Sequence, residues 1–306
     1  MKEIAGFIRQ YARETNKLIL VVCTLFIAVL IWLNYDQGLE YRLVNESGLP
    51  LSWLTGHWLI YFFAFLVPYI LIYIKRENRS FIQPAFIICF LAGPFIFAMK
   101  VGMDTYVQLS DNAHWNQYWN NITYWPPRFI VAFSIVWFLK NYFNPDDSFY
   151  GLAPKKIKWK PYFLMLLIMI PLITAASTQP DFLAAYPKMK EILPLPDHAS
   201  PGWFYKLLFE LSYGSDFITI EFFFRGFLVI GFAKWVGKDA IPPMACFYCT
   251  IHFGKPLGEC ISSYFGGMLL GIVSYHTRSI YGGLMVHLGI AWLMEAGGYI
   301  GNVIKW

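Results

Sequence analysis

The chain has 306 residues, of which 57% are hydrophobic, 20% aromatic and only 14% charged. Soluble domains average about 45–50% apolar and about 25% charged residues, so this composition excludes an ordinary soluble protein. The net charge of +5 is modest, and the cations cluster in short segments between apolar runs. That distribution argues against a nucleic-acid-binding protein and predicts an integral membrane protein in contact with the lipid bilayer.

Eight or nine apolar segments follow one another along the chain. A helix that crosses a bilayer needs roughly 20 predominantly apolar residues, and most of these segments approach that length. The segments are 18–35, 57–74, 81–99, 129–143, 161–177, 204–234, 241–254, 258–276 and 280–299. They predict an all-α, polytopic transmembrane helix bundle of about eight spans.

The segment 204–234 is too long for one span and contains the polar sequence SYGSD at 212–216. We predict a division of the helix there, with a short or interfacial helix leading into the second piece.

Short basic segments alternate with segments that are poorer in cations. The basic ones are the N-terminal tail, KRENR at 75–79 and APKKIKWKP at 153–161, whereas 36–47 and the tryptophan-rich 111–127 lie between them. Cytoplasmic loops of membrane proteins carry an excess of Lys and Arg. We therefore predict a cytoplasmic N-terminus, and we expect the protein to reside in the cell (plasma) membrane.

Charged residues stand inside one of the most apolar parts of the chain, in IEFFFRG at 220–226. Glu221 and Arg225 are four residues apart, which places them on one helix face with the acid first, the favourable order for an ion pair. An unpaired charge at the bilayer centre costs about 2.5–3.5 kcal/mol, so such groups usually face the bundle interior. The pair alone fits a functional site and a structural ion pair equally well.

Two histidines follow in later apolar segments. His252 ends PPMACFYCTIH and is followed by Lys255 and Glu259, and His287 lies inside GGLMVHLGIAWLME. Each alone is explained by a hydrogen bond to a neighbouring helix, but the glycines around them allow close helix packing and an interior shared by all the polar groups. A carboxylate with two histidines can perform general acid–base hydrolysis or can bind a divalent metal that carries a water.

The order of three motifs resembles the CAAX protease and bacteriocin-processing (CPBP) family of intramembrane proteases, which includes the type II CAAX prenyl endopeptidases. The motifs are IEFFFRG, then Tyr248 to His252, then the stretch 266–287 that ends in MVH, and the resemblance covers about 204–295. In the family the second motif is phenylalanine, three residues and histidine, so Tyr248 stands at the aromatic position. It implies N-terminal transmembrane helices and loops at 1–203 and a CPBP-type catalytic core at 204–306, within a single integrated membrane domain.

Four residues match the functional positions of the family motifs, namely Glu221, Arg225, His252 and His287. The resemblance implies that a glutamate and the second-motif histidine activate a water, and that the third-motif histidine stabilises the oxyanion. Arg225 is expected to keep a glutamate in its charged form. The resemblance also favours a reaction that requires no cofactor, although His252, His287 and Glu221 remain candidates for a zinc site.

Two positions depart from those motifs. Ile220 stands where the first motif has a first glutamate, and Ala291 stands where the third motif has asparagine. Because Ile220 cannot act as a base, we expect either Glu221 or Glu259 to supply the carboxylate. Because Ala291 cannot donate a hydrogen bond, one oxyanion donor is missing, a loss that can cost about 100- to 1000-fold in turnover.

These observations predict an intramembrane endopeptidase that acts on a membrane-anchored peptide or protein. A first alternative is a catalytically impaired family member that serves as a membrane scaffold or immunity protein. A small-solute transporter ranks third, because the intramembrane charges lie in one half of the chain and no internal repeat accompanies them.

Overall fold

The computed structural model describes residues 2–76, 81, 83–103, 105–143, 149–153, 157–192 and 202–304. Parts of two of the three basic segments, 77–79 and 154–156, lie outside the described residues, so the charge argument for orientation rests on the sequence. The described residues form helices and no strand. The prediction of an all-α polytopic bundle is confirmed.

Long helices make up most of the bundle. They are α2 (Lys17–Gln37), α4 (Ser52–Arg76), α5 (Pro84–Gly102), α7 (Trp125–Phe143), α8 (Lys160–Ala176), α10 (Trp203–Ile220), α13 (Leu257–Thr277) and α14 (Tyr281–Ile304). Shorter α-helices are α1 (Lys2–Glu14), α3 (Leu39–Tyr41), α6 (Ala113–Ile122), α9 (Pro180–Ala185), α11 (Ala233–Val236) and α12 (Ile241–Thr250). Arg42–Glu46 and Glu221–Gly231 are π-helical, and Lys188–Ile192 and Gly237–Ala240 are 3₁₀ turns.

Among the described residues, five helices are long and apolar enough to cross a membrane. They are Lys17–Gln37, Ser52–Lys75, Pro84–Gly102, Ala113–Phe143 and Leu257–Thr277. A sixth span is formed if Lys160–Ala176 and Pro180–Ile192, which meet at a bend of 100°, are taken together. The predicted number of about eight spans stays a prediction.

The outer surface of the bundle is apolar, as contact with lipid requires. On α2 the exposed side chains include Leu18, Val21, Leu25 and Val29, each more than half exposed. An apolar surface of this extent is unfavourable in water and marks a membrane contact. The protein is therefore an integral membrane protein.

The predicted division at 212–216 is wrong. Helix α10 runs without interruption to Ile220 and continues directly into the π-helix. Polar residues persist inside it because they find partners on other helices: Asp216 pairs with Lys100 of α5 at 2.6 Å, and the Ser212 hydroxyl donates to the carbonyl of Ile122. Paired in this way, polar side chains do not break a largely apolar helix.

The π-helix Glu221–Gly231 lies at the centre of the bundle. Its phenylalanines are almost completely buried, and they pack against neighbouring helices through ring contacts such as Phe223 with Phe97 at 5.2 Å and Phe224 with Phe247 at 5.1 Å. π-helical segments are rare and frequently occur at functional sites. The first motif is therefore buried in the interior of the bundle, packed between α10, α12 and α13 and the N-terminal helices α5 and α7.

Candidate active site

A carboxylate, a guanidinium and an imidazole meet where the π-helix faces α14. Oε1 of Glu221 lies 2.9 Å from Nδ1 of His287 and 3.2 Å from Nη1 of Arg225. Glu221 and Arg225 are completely buried. The four-residue spacing thus produces the ion pair that the sequence predicted, and the pair reaches across to His287 on a separate helix.

A missing side chain on α14 allows this close approach. A Cβ atom placed on Gly283 would lie only 2.5 Å from Oε2 of Glu221. Such a contact is far inside van der Waals range, so any larger residue at position 283 would push the carboxylate away. Gly283 precedes His287 by one helical turn and therefore lies on the same face of α14.

The hydroxyl of Tyr248 extends the same network. It lies 3.1 Å from Nε2 of His287, and the guanidinium of Arg225 stacks over the Tyr248 ring with its Cζ 4.2 Å from the ring centroid. Because the Glu221 carboxylate accepts a hydrogen bond from Nδ1 of His287, Nε2 of the neutral ring is an acceptor and the tyrosine hydroxyl donates to it. Glu221, His287 and Tyr248 thus form one continuous hydrogen-bonded chain.

His252 lies beside this chain, on the other side of the tyrosine. Its Nδ1 is 2.9 Å from the carbonyl oxygen of Tyr248, and the two rings pack edge to face at 4.8 Å. The carbonyl can only accept, so Nδ1 carries the proton and Nε2 of the neutral ring carries a lone pair. Within the described residues no hydrogen bond engages that Nε2, and the His252 ring contacts the same tyrosine whose hydroxyl bonds His287.

Glu259 has different partners. The hydroxyl of Tyr186 is 3.0 Å from both of its carboxylate oxygens, and Nζ of Lys255 is 3.9 Å from Oε1. No hydrogen bond or ion pair in the described part of the chain joins Glu259 to Glu221 or to either histidine. Four of the five predicted residues therefore come together, and Glu259 belongs to a neighbouring cluster.

The two positions that depart from the family motifs are apolar and buried. Ile220 is packed in the main hydrophobic core at the end of α10. Ala291 lies one turn after His287 and packs in a cluster that includes Phe209 and Phe217. Neither position has a polar group that could act on a substrate.

The sequence did not reveal three polar contacts around the site. They are the Tyr248 hydroxyl bond to His287, the Tyr186 bond to Glu259 and the buried Lys100–Asp216 pair. Only the Tyr248–His287 bond had an indication in the sequence, namely a tyrosine at a position where the resemblance gives phenylalanine. The other two join residues that are far apart in the chain, so no local pattern predicts them.

The polar groups are arranged poorly for a metal ion. Within the described ranges, no three His, Cys, Asp or Glu side chains are placed to hold one. Both ring nitrogens of His287 already have partners, and Glu221 is paired with Arg225. We therefore derive no catalytic step through a metal.

One family model matches the chain, the model described as Rce1-like, type II CAAX prenyl endopeptidase Rce1-like, over residues 203–293. This stretch contains Glu221, Arg225, Tyr248, His252 and His287. The comparisons with curated proteins and with solved structures gave no match. Because the matched family is a protease family, the match supports peptide hydrolysis as the general activity. The resemblance drawn from the three motifs is thus confirmed: residues 203–293 match the Rce1-like type II CAAX prenyl endopeptidases, consistent with the CPBP family of intramembrane proteases.

Proposed function

We propose that the protein is an intramembrane endopeptidase that hydrolyses a peptide bond in a membrane-associated peptide or protein. One observation carries the proposal: the imidazole of His252 packs edge to face on Tyr248, the last residue of the buried Glu221–His287–Tyr248 chain. A base and a set of polarised donors at one place are what amide hydrolysis needs.

His252 is the base in this proposal. Its Nε2 accepts a proton from a water molecule as the water oxygen bonds to the carbonyl carbon of the substrate. The tetrahedral intermediate then collapses, the carbon–nitrogen bond breaks, and His252 returns the proton to the departing amine. General acid–base catalysis of this kind typically contributes about 10²- to 10⁴-fold in rate.

Glu221 acts through His287 rather than on the water. Its Oε1 is shared between Nδ1 of His287 and the guanidinium of Arg225, so it fixes the ring orientation and the tautomer of His287. Arg225 balances the carboxylate charge, which would be costly at this depth without a partner. In this account Arg225 and Glu221 are positioning residues, and Glu259 has no direct part in proton transfer.

The experiment is cleavage of a library of membrane-anchored peptides by the purified protein in lipid nanodiscs, with products identified by mass spectrometry. We expect cleavage by the wild-type protein and a loss of at least about 100-fold in His287→Ala. No cleavage by a folded wild-type protein would favour the scaffold or immunity alternative. Equal cleavage by the His287→Ala variant would contradict the proposed site.

The orientation of the protein in the cell membrane is also a proposal, with the N-terminus in the cytoplasm. Its support is the basic N-terminal tail with Lys2, Arg9 and Arg13 on α1, followed by Lys17. A protease-sensitive tag at the N-terminus should resist digestion in intact cells or spheroplasts and be cleaved in inverted vesicles. The opposite pattern would contradict this orientation.

A further inference from the structure

We propose that the Tyr248 hydroxyl is the hydrogen-bond donor to the substrate oxyanion, and that it replaces the side-chain amide that Ala291 cannot provide. This inference rests on the proposed peptide hydrolysis and assigns one more residue to the same site. The observation that supports this inference is the 3.1 Å contact between the Tyr248 hydroxyl and Nε2 of His287.

The geometry directs His287 toward the tyrosine. Nδ1 is held by Glu221, and Nε2, the only other polar atom of the ring, faces the Tyr248 hydroxyl. A neutral ring accepts the hydroxyl proton, whereas a protonated ring donates to the hydroxyl oxygen and leaves the O–H free to turn to another acceptor. In both states the Tyr248 hydroxyl is the last group of the hydrogen-bonded chain that begins at Glu221.

The surroundings of Tyr248 hold the hydroxyl in a fixed place. The side chain is only 4% exposed, and its ring contacts Phe224 at 5.0 Å and His252 at 4.8 Å. The Arg225 guanidinium over the ring adds a positive charge near the phenol. A fixed donor in a region that excludes water stabilises developing negative charge far more than a mobile one does.

The position of His252 places the base and the donor together. Nδ1 of His252 is bound to the carbonyl of Tyr248 itself, so the two side chains come from one turn of the chain. When the water that His252 deprotonates bonds to the substrate carbon, the carbonyl π electrons move to the oxygen. The Tyr248 O–H then turns from Nε2 of His287 to that oxyanion, and it returns to Nε2 when the carbon–nitrogen bond breaks and the carbonyl is restored.

Two differences from the family motifs, at positions 248 and 291, then compensate for each other. The resemblance gives phenylalanine at position 248 and asparagine at position 291, whereas this chain has tyrosine and alanine. Ala291 is 3% exposed, has no polar side-chain atom and packs in a cluster that includes Phe209 and Phe217. A hydroxyl gained at position 248 supplies the donor that the Ala291 side chain lacks.

The test is Tyr248→Phe, which removes one oxygen atom and keeps the ring. With the best-cleaved library peptide as substrate, we expect kcat to fall about 10²- to 10³-fold while KM stays within about threefold. A phosphonamidate analogue of the same peptide mimics the tetrahedral oxyanion, and its binding should weaken by a similar factor. Tyr264→Phe is the matched control, because it removes a buried hydroxyl that bonds Thr24 at 3.1 Å, away from the site.

The outcomes separate this inference from the proposed function. If wild type cleaves, His252→Ala does not, and Tyr248→Phe keeps both its kcat and its phosphonamidate affinity, the oxyanion role is overturned and the protease stands. If Tyr264→Phe loses as much as Tyr248→Phe, the effect is one of packing and the role is again overturned. If the folded wild-type protein cleaves nothing, or His252→Ala cleaves normally, both proposals fall together.

Discussion

Two fully buried arginines show how differently the two halves of the bundle use the same charge. Arg128, on α7, donates to three backbone carbonyls, those of Lys100, Met103 and Tyr124, and stacks on the Tyr124 ring. Arg225, in the π-helix, pairs with Glu221 and stacks on Tyr248. The first ties one helix to the end of another, whereas the second belongs to a hydrogen-bonded chain that ends at Tyr248, against the ring of His252.

The difference lies in what the partners of each arginine can do next. Backbone carbonyls are only acceptors, so the Arg128 contacts end there and serve structure. A carboxylate and a histidine can exchange and orient protons, so the Arg225 contacts continue to Tyr248 and His252. A buried charge in a membrane therefore indicates function chiefly when its partners are themselves titratable.

The largest effect should come from breaking the Arg225 network at Glu221. Glu221→Gln keeps the shape of the side chain but removes the charge that orients His287, and we expect cleavage to fall about 10²- to 10⁴-fold. The free energy of unfolding should also fall by about 3–5 kcal/mol, because Arg225 loses its buried partner. Initial rates and thermal unfolding in nanodiscs measure the two effects.

Arg128→Lys is the matched control variant for Glu221→Gln. It preserves the charge but loses the several directed bonds of the guanidinium, so stability should fall by about 1–3 kcal/mol. Activity per folded molecule should stay within about threefold. A loss of activity as large as that of Glu221→Gln would contradict the assignment of a structural role to Arg128 and a functional role to Arg225.

An intermediate effect is expected where α14 approaches the carboxylate. Gly283→Ala places a methyl group 2.5 Å from Oε2 of Glu221, so the carboxylate must move. A displacement of about 1 Å from productive geometry can cost about 100-fold, and we expect a loss of that order in kcat. Gly266→Ala is the control, since a Cβ there meets nothing within 4 Å. Equal rates in the two variants would place Glu221 outside the working site.

The smallest effect is expected at the neighbouring carboxylate. Glu259→Gln removes the charge but leaves an amide oxygen that can still accept the Tyr186 hydroxyl bond. We expect less than about a tenfold change in cleavage rate, because no hydrogen bond or ion pair among the described residues links Glu259 to either histidine. A loss above about 100-fold would identify Glu259 as the carboxylate that assists His252 and would revise the assignment of the base.

Local spacing in the sequence predicted part of this site. The four-residue interval predicted the Glu221–Arg225 pair, and the cost of polar groups in lipid predicted that His287 would turn toward it. The Tyr248–His287 bond depends on how α12 and α14 approach each other, and that approach is set by packing between distant segments. Sequence spacing does not contain this information.

The same limitation explains the error at 212–216. A polar run in an apolar segment predicts a break unless its partner is known, and Lys100, which neutralises Asp216, lies more than 100 residues earlier. The helical class of the fold follows from the length and apolarity of the segments, so it was predictable. The sequence alone does not show which polar residues lie within helices, because that depends on pairing with residues far away in the chain.

The most direct test of the central claim, that His252 is the base of a hydrolytic site, is the cleavage rate of one membrane-anchored peptide by His252→Ala. His276→Ala is its control, because that histidine stacks on Phe7 at 4.7 Å on another face of the bundle. The account predicts a loss of at least about 100-fold for His252→Ala and less than about threefold for His276→Ala, with both proteins folded. Equal rates for the two variants would contradict it.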